Sequence, residues 1–472
     1  MAFFFRRSLQ IFSLAVIGLF SYGQTSAPRV EYLPFSEAQP VLQALDEIVP
    51  PDLKGQSATQ LEAMWPEWVR ERDAETRARL SQGEEDSLVN LLLFGTSFTR
   101  QPRLTAEALG TSSDGPAEKR TLVQRRVEDL VRGLASPQAN ERLQFMRHFL
   151  EGKGYRFESD ADRSRVAGYL VANLRRMLQD ADAYRRSLET ARSLHDPSEE
   201  FARRSTLFEK RGISLDTSLM PNFALEEALK QLQARGLLAR GSIRRVGIIG
   251  PGLDFIDKSS GYDFYPQQTI QPFALIDTLL RLGLARSETL EVITFDISIP
   301  VNQHLTAAIA RARRGQPYVV QLPRDAQRQW RAEATRYWQH FGTMIGTPAR
   351  PLQPPAAAGK VQVRAVSIRP AVVRKIVPVD LNVVWQQLAL PPAKRFDLLV
   401  GTNIFVYYGV FEQSLAGVNM ASMLRPGGFL LSNNELLELP GGPVRSVDYT
   451  TTVYSDLQDD GDHIVWYQRA PQ

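Results

Sequence analysis

The run Arg395-Phe396-Asp397-Leu398-Leu399-Val400-Gly401-Thr402-Asn403-Ile404-Phe405-Val406-Tyr407-Tyr408 restricts what this chain can fold into, together with Met423-Leu424-Arg425-Pro426-Gly427-Gly428-Phe429-Leu430-Leu431-Ser432 one helix length later. Leu398-Leu399-Val400 and Phe429-Leu430-Leu431 are unbroken apolar triplets, the pattern of strands covered on both faces in a parallel sheet. Phe411 to Leu424 is long enough for the crossover helix that parallel neighbours require. Sheets of this kind bind ligands at the carboxyl ends of their strands. Gly401, Thr402, Asn403, Tyr407 and Tyr408 therefore mark the expected site, with Ser432 to Glu435 beside it.

Upstream, Val246-Gly247-Ile248-Ile249 reads as a first buried strand and Gly250-Pro251-Gly252 as its exit loop. Glycine suits a place where a ligand approaches the backbone more closely than a Cβ would permit. A long polar and aromatic loop, Leu253 to Thr269, precedes a helix over Pro272–Leu282 that Gly283 ends. Leu290 to Phe295 is strand two, with Asp296 at its carboxyl end, where an acid can accept hydrogen bonds from both ribose hydroxyls. Residues 299–360 read as an insertion with a helix near His304–Arg314, a strand at Tyr318–Val320, a second helix over Asp325–Phe341 and a Pro/Ala linker. Trp330, Tyr337, Trp338 and Phe341 give that second helix an aromatic face expected to pack on the domain. Strand character returns at Val361–Ile368 and Val373–Val379, the latter ending in Asp380-Leu381-Asn382. Val447–Leu457 and His463–Arg469 form a closing hairpin.

On these residues the chain resembles class I (Rossmann-like) S-adenosylmethionine-dependent methyltransferases. The stretches 396–408 and 423–435 come nearest to the pattern of chemotaxis-receptor methyltransferases: a strand, an Asn, an aromatic-rich loop and L-x-P-G-G-x-L. The likeness covers the last half of the chain. It implies an α/β fold with a mostly parallel sheet, a C-terminal antiparallel hairpin and an S-adenosylmethionine cofactor. It further implies donor contacts from Gly250, Gly252, Asp254, Asp296, Asp380, Leu381 and Thr402, and an acceptor side lined by the candidate catalytic residues Asn403, Tyr407 and Tyr408. Against the family's acid-x-Gly-x-Gly-x-Gly pattern the match is partial, since Ile248 replaces the acid and Asp254 stands at the third glycine. The closing hairpin separates this family from ordinary dinucleotide folds. A nicotinamide-dependent oxidoreductase is disfavoured because no glycine-led helix N-terminus follows Gly252 to face a pyrophosphate.

Before the sheet, periodicity predicts an all-α region over 25–195. A short helix is expected around Glu37–Ile48, another from Thr59 with Leu61, Met64, Trp65 and Trp68 on one face, and a buried turn or two at Leu88–Phe94. Further helices are expected over Leu122–Leu134, Asn140–Glu151 and Asp160–Leu194, the last capped by Asp160. A bridge, 196–240, follows. Its non-helical part, Arg211 to Met220, is expected to lie over the donor pocket as a lid through Arg211, Asp216 and Thr217, and Asn222 is expected to cap a helix over Phe223–Arg235. The methyltransferase-like region is 241–472.

Composition narrows the function classes. A net charge of +4 over 472 residues, with both signs interspersed, offers no track for nucleic acid. With no cysteine and five scattered histidines, neither a thiolate site nor a metal site is expected. Met1–Gln24 has Arg6-Arg7, an apolar run Ile11–Phe20 and a small-residue stretch Ser21-Tyr22-Gly23, the layout of a secretory leader. Export is thus the expectation, with membrane contact only through an uncleaved leader. The donor is made in the cytosol, so a second reading stands beside the enzyme: a catalytically silent exported or envelope binding protein on the same scaffold. The methyl acceptor, small molecule or protein, is not legible.

Overall fold

The computed structural model describes residues 29–104, 116–193, 211–256, 262–457 and 460–470. The stretch read as a leader, residues 196–210 of the bridge and part of the loop after Gly252 lie outside them. Among the described residues no helix is long and apolar enough to cross a membrane.

Seven strands form the central sheet: β2 (Arg245–Ile249), β3 (Glu291–Asp296), β7 (Ile376–Asp380), β9 (Phe396–Gly401), β10 (Leu424–Ser432), β11 (Val444–Val453) and β12 (Gly461–Arg469). Their order is β11-β12-β10-β9-β2-β3-β7. The five from β7 to β10 are parallel, and β12 inserts antiparallel between β10 and β11. Counted within the sheet, the parallel strands run 3-2-1-4-5, the doubly wound order whose direction reverses between β2 and β9. The closing hairpin is the feature the sequence led one to expect. The covering helices are α6 (Met220–Ala234), α7 (Gln271–Arg281), α8 (Ile299–Arg313) and α11 (Val410–Met423).

Alternate strand residues face two separate cores. Val246, Ile248, Val292, Leu398, Val400 and Leu431 pack on one side with α6, α7 and α8. Ile249, Ile293, Phe295, Leu399 and Leu430 pack on the other with α11. The period-two division follows from the pleat.

The N-terminal region wraps this sheet. β1 (Val30–Tyr32) pairs with β8 (Gln386–Leu388), and α1 (Phe35–Ala44) is shorter than the helix expected over Glu37–Ile48. Leu88–Phe94 is no isolated turn: it ends α2 (Ala58–Phe94), one helix of 37 residues opened by a Ser57/Gln60 capping box. At 1.5 Å per residue α2 is about 55 Å long. Its Trp65, Trp68 and Val69 belong to the core with Trp385 and Phe411, while the apolar residues between Leu88 and Phe94 belong to the core on the opposite face. The helix therefore passes over the carboxyl edge of the sheet, and its middle crosses the strand ends.

α3 (Pro116–Ala135), α4 (Glu141–Gly152) and α5 (Asp160–Ser193) complete the helical region. Asn140 caps α4 through Arg142 and Leu143 N–H. For α5 the cap is Ser159, whose hydroxyl accepts Asp162 N–H while its own N–H donates to the Asp162 carboxylate. Asp160 sits one residue inside the helix.

The insertion also differs from expectation. β4 (Tyr318–Asp325) runs to the first residue expected in the second helix, and after a non-helical stretch at 326–331 that helix is confined to α9, Ala332–His340. Part of the linker forms β5 (Gly346–Ala349), and β6 (Val361–Ile368) joins them in a separate sheet of order β4-β6-β5. α10 (Pro370–Val373) then leads into β7. Tyr337, Trp338 and Phe341 are buried as their pattern implied.

Candidate functional site

A cavity of about 480 Å³ opens where β2, β3, β7 and β9 end. Its base is laid by backbone geometry. β2 exits through Gly250 and Gly252, both in the left-handed region at φ of 64° and 62°, where a Cβ is disfavoured. A Cβ on Gly252 would also come within 2.7 Å of Leu215 O. Gly250 N–H donates to Phe295 O at 2.8 Å, fixing the loop against β3.

Asp296 lines the cavity from the tip of β3. Its carboxylate accepts Ser298 N–H at 2.8 Å and a backbone N–H from Gly252. It is only partly covered, its open side facing the cavity. Burial pushes its pKa up to about 7; the two N–H bonds oppose that rise and the Asp380 charge adds to it. Leu381 and Thr402 also line the cavity, and Thr402 Oγ accepts from Gln271 Nε2 at 2.9 Å. Gln271 is buried, and its Oε1 has no hydrogen-bond partner. Ile249, Phe295, Ile297, Val383 and Ile404 supply apolar walls.

Two residues expected at the donor stand elsewhere. Asp380 ends β7, the strand at the sheet's edge, and turns outward to an ion pair with Arg77 of α2 at 2.7 Å; Leu381 and Asn382 reach the cavity instead. Asp254 is buried beyond the cavity lining, accepting Tyr265 OH at 2.9 Å and Gln268 Nε2 at 2.8 Å. It anchors the long loop. Ile248 packs in the core and offers the cavity no carboxylate.

The acceptor-side candidates Asn403, Tyr407 and Tyr408 all line the cavity. Asn403 has φ 59°, and the Asn433 side chain holds it from both ends: Asn403 N–H donates to Asn433 Oδ1, and Asn433 Nδ2 donates to Asn403 Oδ1, each at 2.7 Å. Burial pushes the Tyr407 phenol up to about 12 and raises Tyr408 as well. Both are neutral donors near pH 7, not bases.

The opposite wall comes from outside the sheet. Arg211 to Ser218 crosses the mouth as the lid reading expected, and α2 adds Leu80, Asp86 and Asn90. The strap is fastened at both ends. Ile213 N–H donates to Arg79 O at 3.2 Å, Leu253 N–H to Leu215 O at 2.8 Å and Thr217 N–H to Leu253 O at 3.0 Å. Arg79 Nη2 donates to both Arg211 O and Tyr407 O. Asn222 is not the cap of α6: it lies within the first turn, buried, donating to Ser218 O, and its Oδ1 has no partner. Sequence reasoning missed Gln271, Asn222 and the α2 residues. One signal was available, an Asn interrupting the apolar run Leu88 to Phe94.

Fold and cavity together define an open, doubly wound α/β sheet closed by an antiparallel hairpin, with a pocket at its carboxyl strand ends. No protein-family model matches the chain, and no curated protein matches its sequence. Solved structures that resemble it include the glycopeptide N-methyltransferase MtfA complexed with S-adenosylmethionine, 12% identical over 54% of this chain and 96% of that one, with a TM-score of 0.27. Magnesium protoporphyrin IX methyltransferase (ChlM) from Synechocystis PCC 6803, with the same ligand bound, is 11% identical over 53% and 80%, with a TM-score of 0.25. TrmN from Thermus thermophilus is 11% identical over 53% and 52%, with a TM-score of 0.25. At these values the likenesses add no weight of their own, and the fold assignment stands on strand order, direction and hairpin.

Proposed function

We propose that this chain binds S-adenosylmethionine in the strand-end cavity and is a methyltransferase toward an acceptor still to be found. The observation that carries the reading is the convergence of Gly250, Gly252, Asp296, Leu381 and Thr402 on one cavity. The residues present fit the group. Asp296 spends part of its acceptor capacity on two backbone N–H groups and keeps the rest for ligand hydroxyls. The orphaned Gln271 Oε1 is a second acceptor, and the apolar walls suit a flat ring.

When bound, the group supplies a sulfonium methyl open to in-line displacement. The chain's own residues position and enclose. Asp296 and the glycine loop fix the donor end, the Arg211–Ser218 strap and α2 exclude water, and Asn403 presents its side chain from a locked backbone. Holding two reactants in line contributes much of the rate of such a transfer. The 396–408 and 423–435 motifs that resemble chemotaxis-receptor methyltransferases support the reaction class; the acceptor is left to screening. We take export, proposed from the leader, as a statement about location that the site itself does not enter.

Calorimetric titration of S-adenosylmethionine and S-adenosylhomocysteine tests the reading. Micromolar binding is expected, weakened about 10-fold to 100-fold by Asp296→Ala, as loss of hydrogen bonds to a charged acceptor implies. No heat from folded protein would instead leave the silent-scaffold reading.

A further inference from the structure

The cavity wall contributed by α2 and the start of α6 carries polar groups that the donor reading does not use. Asn90 and Asn222 each retain about 4% of their surface exposed, both line the cavity, and the Oδ1 of each is buried without a hydrogen-bond partner. A buried acceptor left unsatisfied costs about 1–3 kcal/mol, so two on one cavity wall are a standing cost unless a ligand meets them.

Their position follows from the strap. Gly83 of α2 touches Ile213; Ile213 packs in the core with Trp65 and Trp68 and Leu215 in the core with Leu88 and Leu92, so strap and helix pass from one core to the other in the same sense. From that contact Asn90 lies seven residues along the helix and Asp216 three along the extended strap, each about 10 Å on, and both line the cavity. Asn222 follows a turn later, its side chain tied to Ser218 O at 2.9 Å. The cavity lining thus includes two unpartnered amide oxygens and the carboxyl groups of Asp86 and Asp216, the latter accepting Ile256 N–H at 2.9 Å, with Arg211 as the one cationic side chain among the described lining residues. Asp86 is held by Arg176 at 2.5 Å. Oxygen acceptors converging on one place select a group that donates several hydrogen bonds and brings no lone pair. Among simple groups that is an ammonium, with three donors and no acceptor; a carboxylate or phosphate would be repelled by these oxygens and would have only Arg211 to favour it.

We propose that Asn90 and Asn222 form an ammonium-binding subsite, so that the N-terminal helix α2 takes part in ligand recognition. The ammonium has two possible sources, the α-amino end of the donor itself or an amine acceptor. Only the first rests on the donor reading above.

The test uses the full chain and three probes: S-adenosylhomocysteine, which carries the ammonium; 5′-methylthioadenosine, which lacks it; and butylamine. Each is titrated into the parent protein and into Asn90→Leu and Asn222→Leu, with butylamine added both alone and after saturation with S-adenosylhomocysteine. If the donor supplies the ammonium, both variants lose about tenfold in affinity for S-adenosylhomocysteine and stay within twofold for 5′-methylthioadenosine. If an acceptor supplies it, neither adenosine ligand changes, and butylamine binding seen in the parent disappears in the variants. Equal losses for both adenosine ligands, or no difference between parent and variants with any probe, would overturn the subsite. Asn90→Asp guards against misfolded variants, because an added carboxylate should tighten the ammonium-bearing probe, a gain that a damaged fold cannot produce. Should no adenosine ligand bind the parent, the donor reading fails while the butylamine titration still decides the subsite.

Discussion

Asp296 concentrates the pH behaviour of the cavity. Its folded pKa, pushed up to about 7, lies above the ordinary carboxylate value, so the folded state holds its proton more tightly than the unfolded chain does. The contribution to stability is therefore greatest in acid and is lost as pH rises from the usual carboxylate range through about 7. Ligand binding runs the other way, since only the ionised carboxylate is a pure acceptor. Affinity for S-adenosylhomocysteine should rise as pH passes through 7 and level off above it, and Asp296→Asn should flatten that profile. A parent profile flat between pH 6 and 8 would count against the role. Asn403 makes a second prediction at this scale. Held at φ 59° by reciprocal bonds to Asn433, it should tolerate glycine, which favours that backbone region. Asn433→Ala should instead cost about 1 kcal/mol in chemical denaturation.

Among the elements, α2 has the most consequential contact. An ideal Cβ on Gly83 would lie 1.9 Å from Ile213 O, so even alanine must push helix and strap apart. Gly83→Ala is expected to leave the helical circular dichroism intact, since alanine favours helix, while weakening S-adenosylhomocysteine binding at least tenfold by opening the cavity. Unchanged affinity would show that the strap does not enclose the site. The same helix marks the limit of what the sequence revealed. The sheet was legible because its strands are unbroken apolar runs; β2, β3, β9, α7 and α11 fall within a residue or two of expectation, whereas β10 starts at Leu424, five residues before the expected Phe429, and takes Pro426-Gly427-Gly428 into the strand at an irregularity in its pairing with β9. The span of α2 was not. Its buried face changes partners midway, from Trp65 and Trp68 in one core to Leu88 and Leu92 in the other, so no single stripe persists along it. For the same reason Asp86 and Asn90 looked like parts of a separate helical region. Asp380 and Leu381 adjoin at the end of β7, yet Asp380 pairs with Arg77, distant in sequence, while Leu381 lines the cavity.

At the scale of the whole molecule, helical region and sheet share their cores. Leu88, Leu130, Met146 and Leu170 pack in one cluster with Phe223, Ile248 and Leu398. Arg142, almost fully buried in α4, donates to Asp254 O at 2.8 Å and Phe255 O at 2.5 Å in the loop after β2. Thermal unfolding should accordingly show one transition by both circular dichroism and tryptophan fluorescence, shifted as a unit by S-adenosylhomocysteine. Two transitions, only one moved by ligand, would mean the regions are energetically separate. The central claim is that the strand-end cavity, roofed by α2 and the strap, is the donor site. The most direct test is amide hydrogen exchange of the full chain with and without S-adenosylhomocysteine. The account predicts the largest added protection at Gly250–Leu253, Asp296–Ser298, Thr402–Asn403, the Arg211–Thr217 strap and the Asp86–Asn90 turn of α2. No larger gain there than in the rest of the chain, or none at saturating ligand, would contradict it.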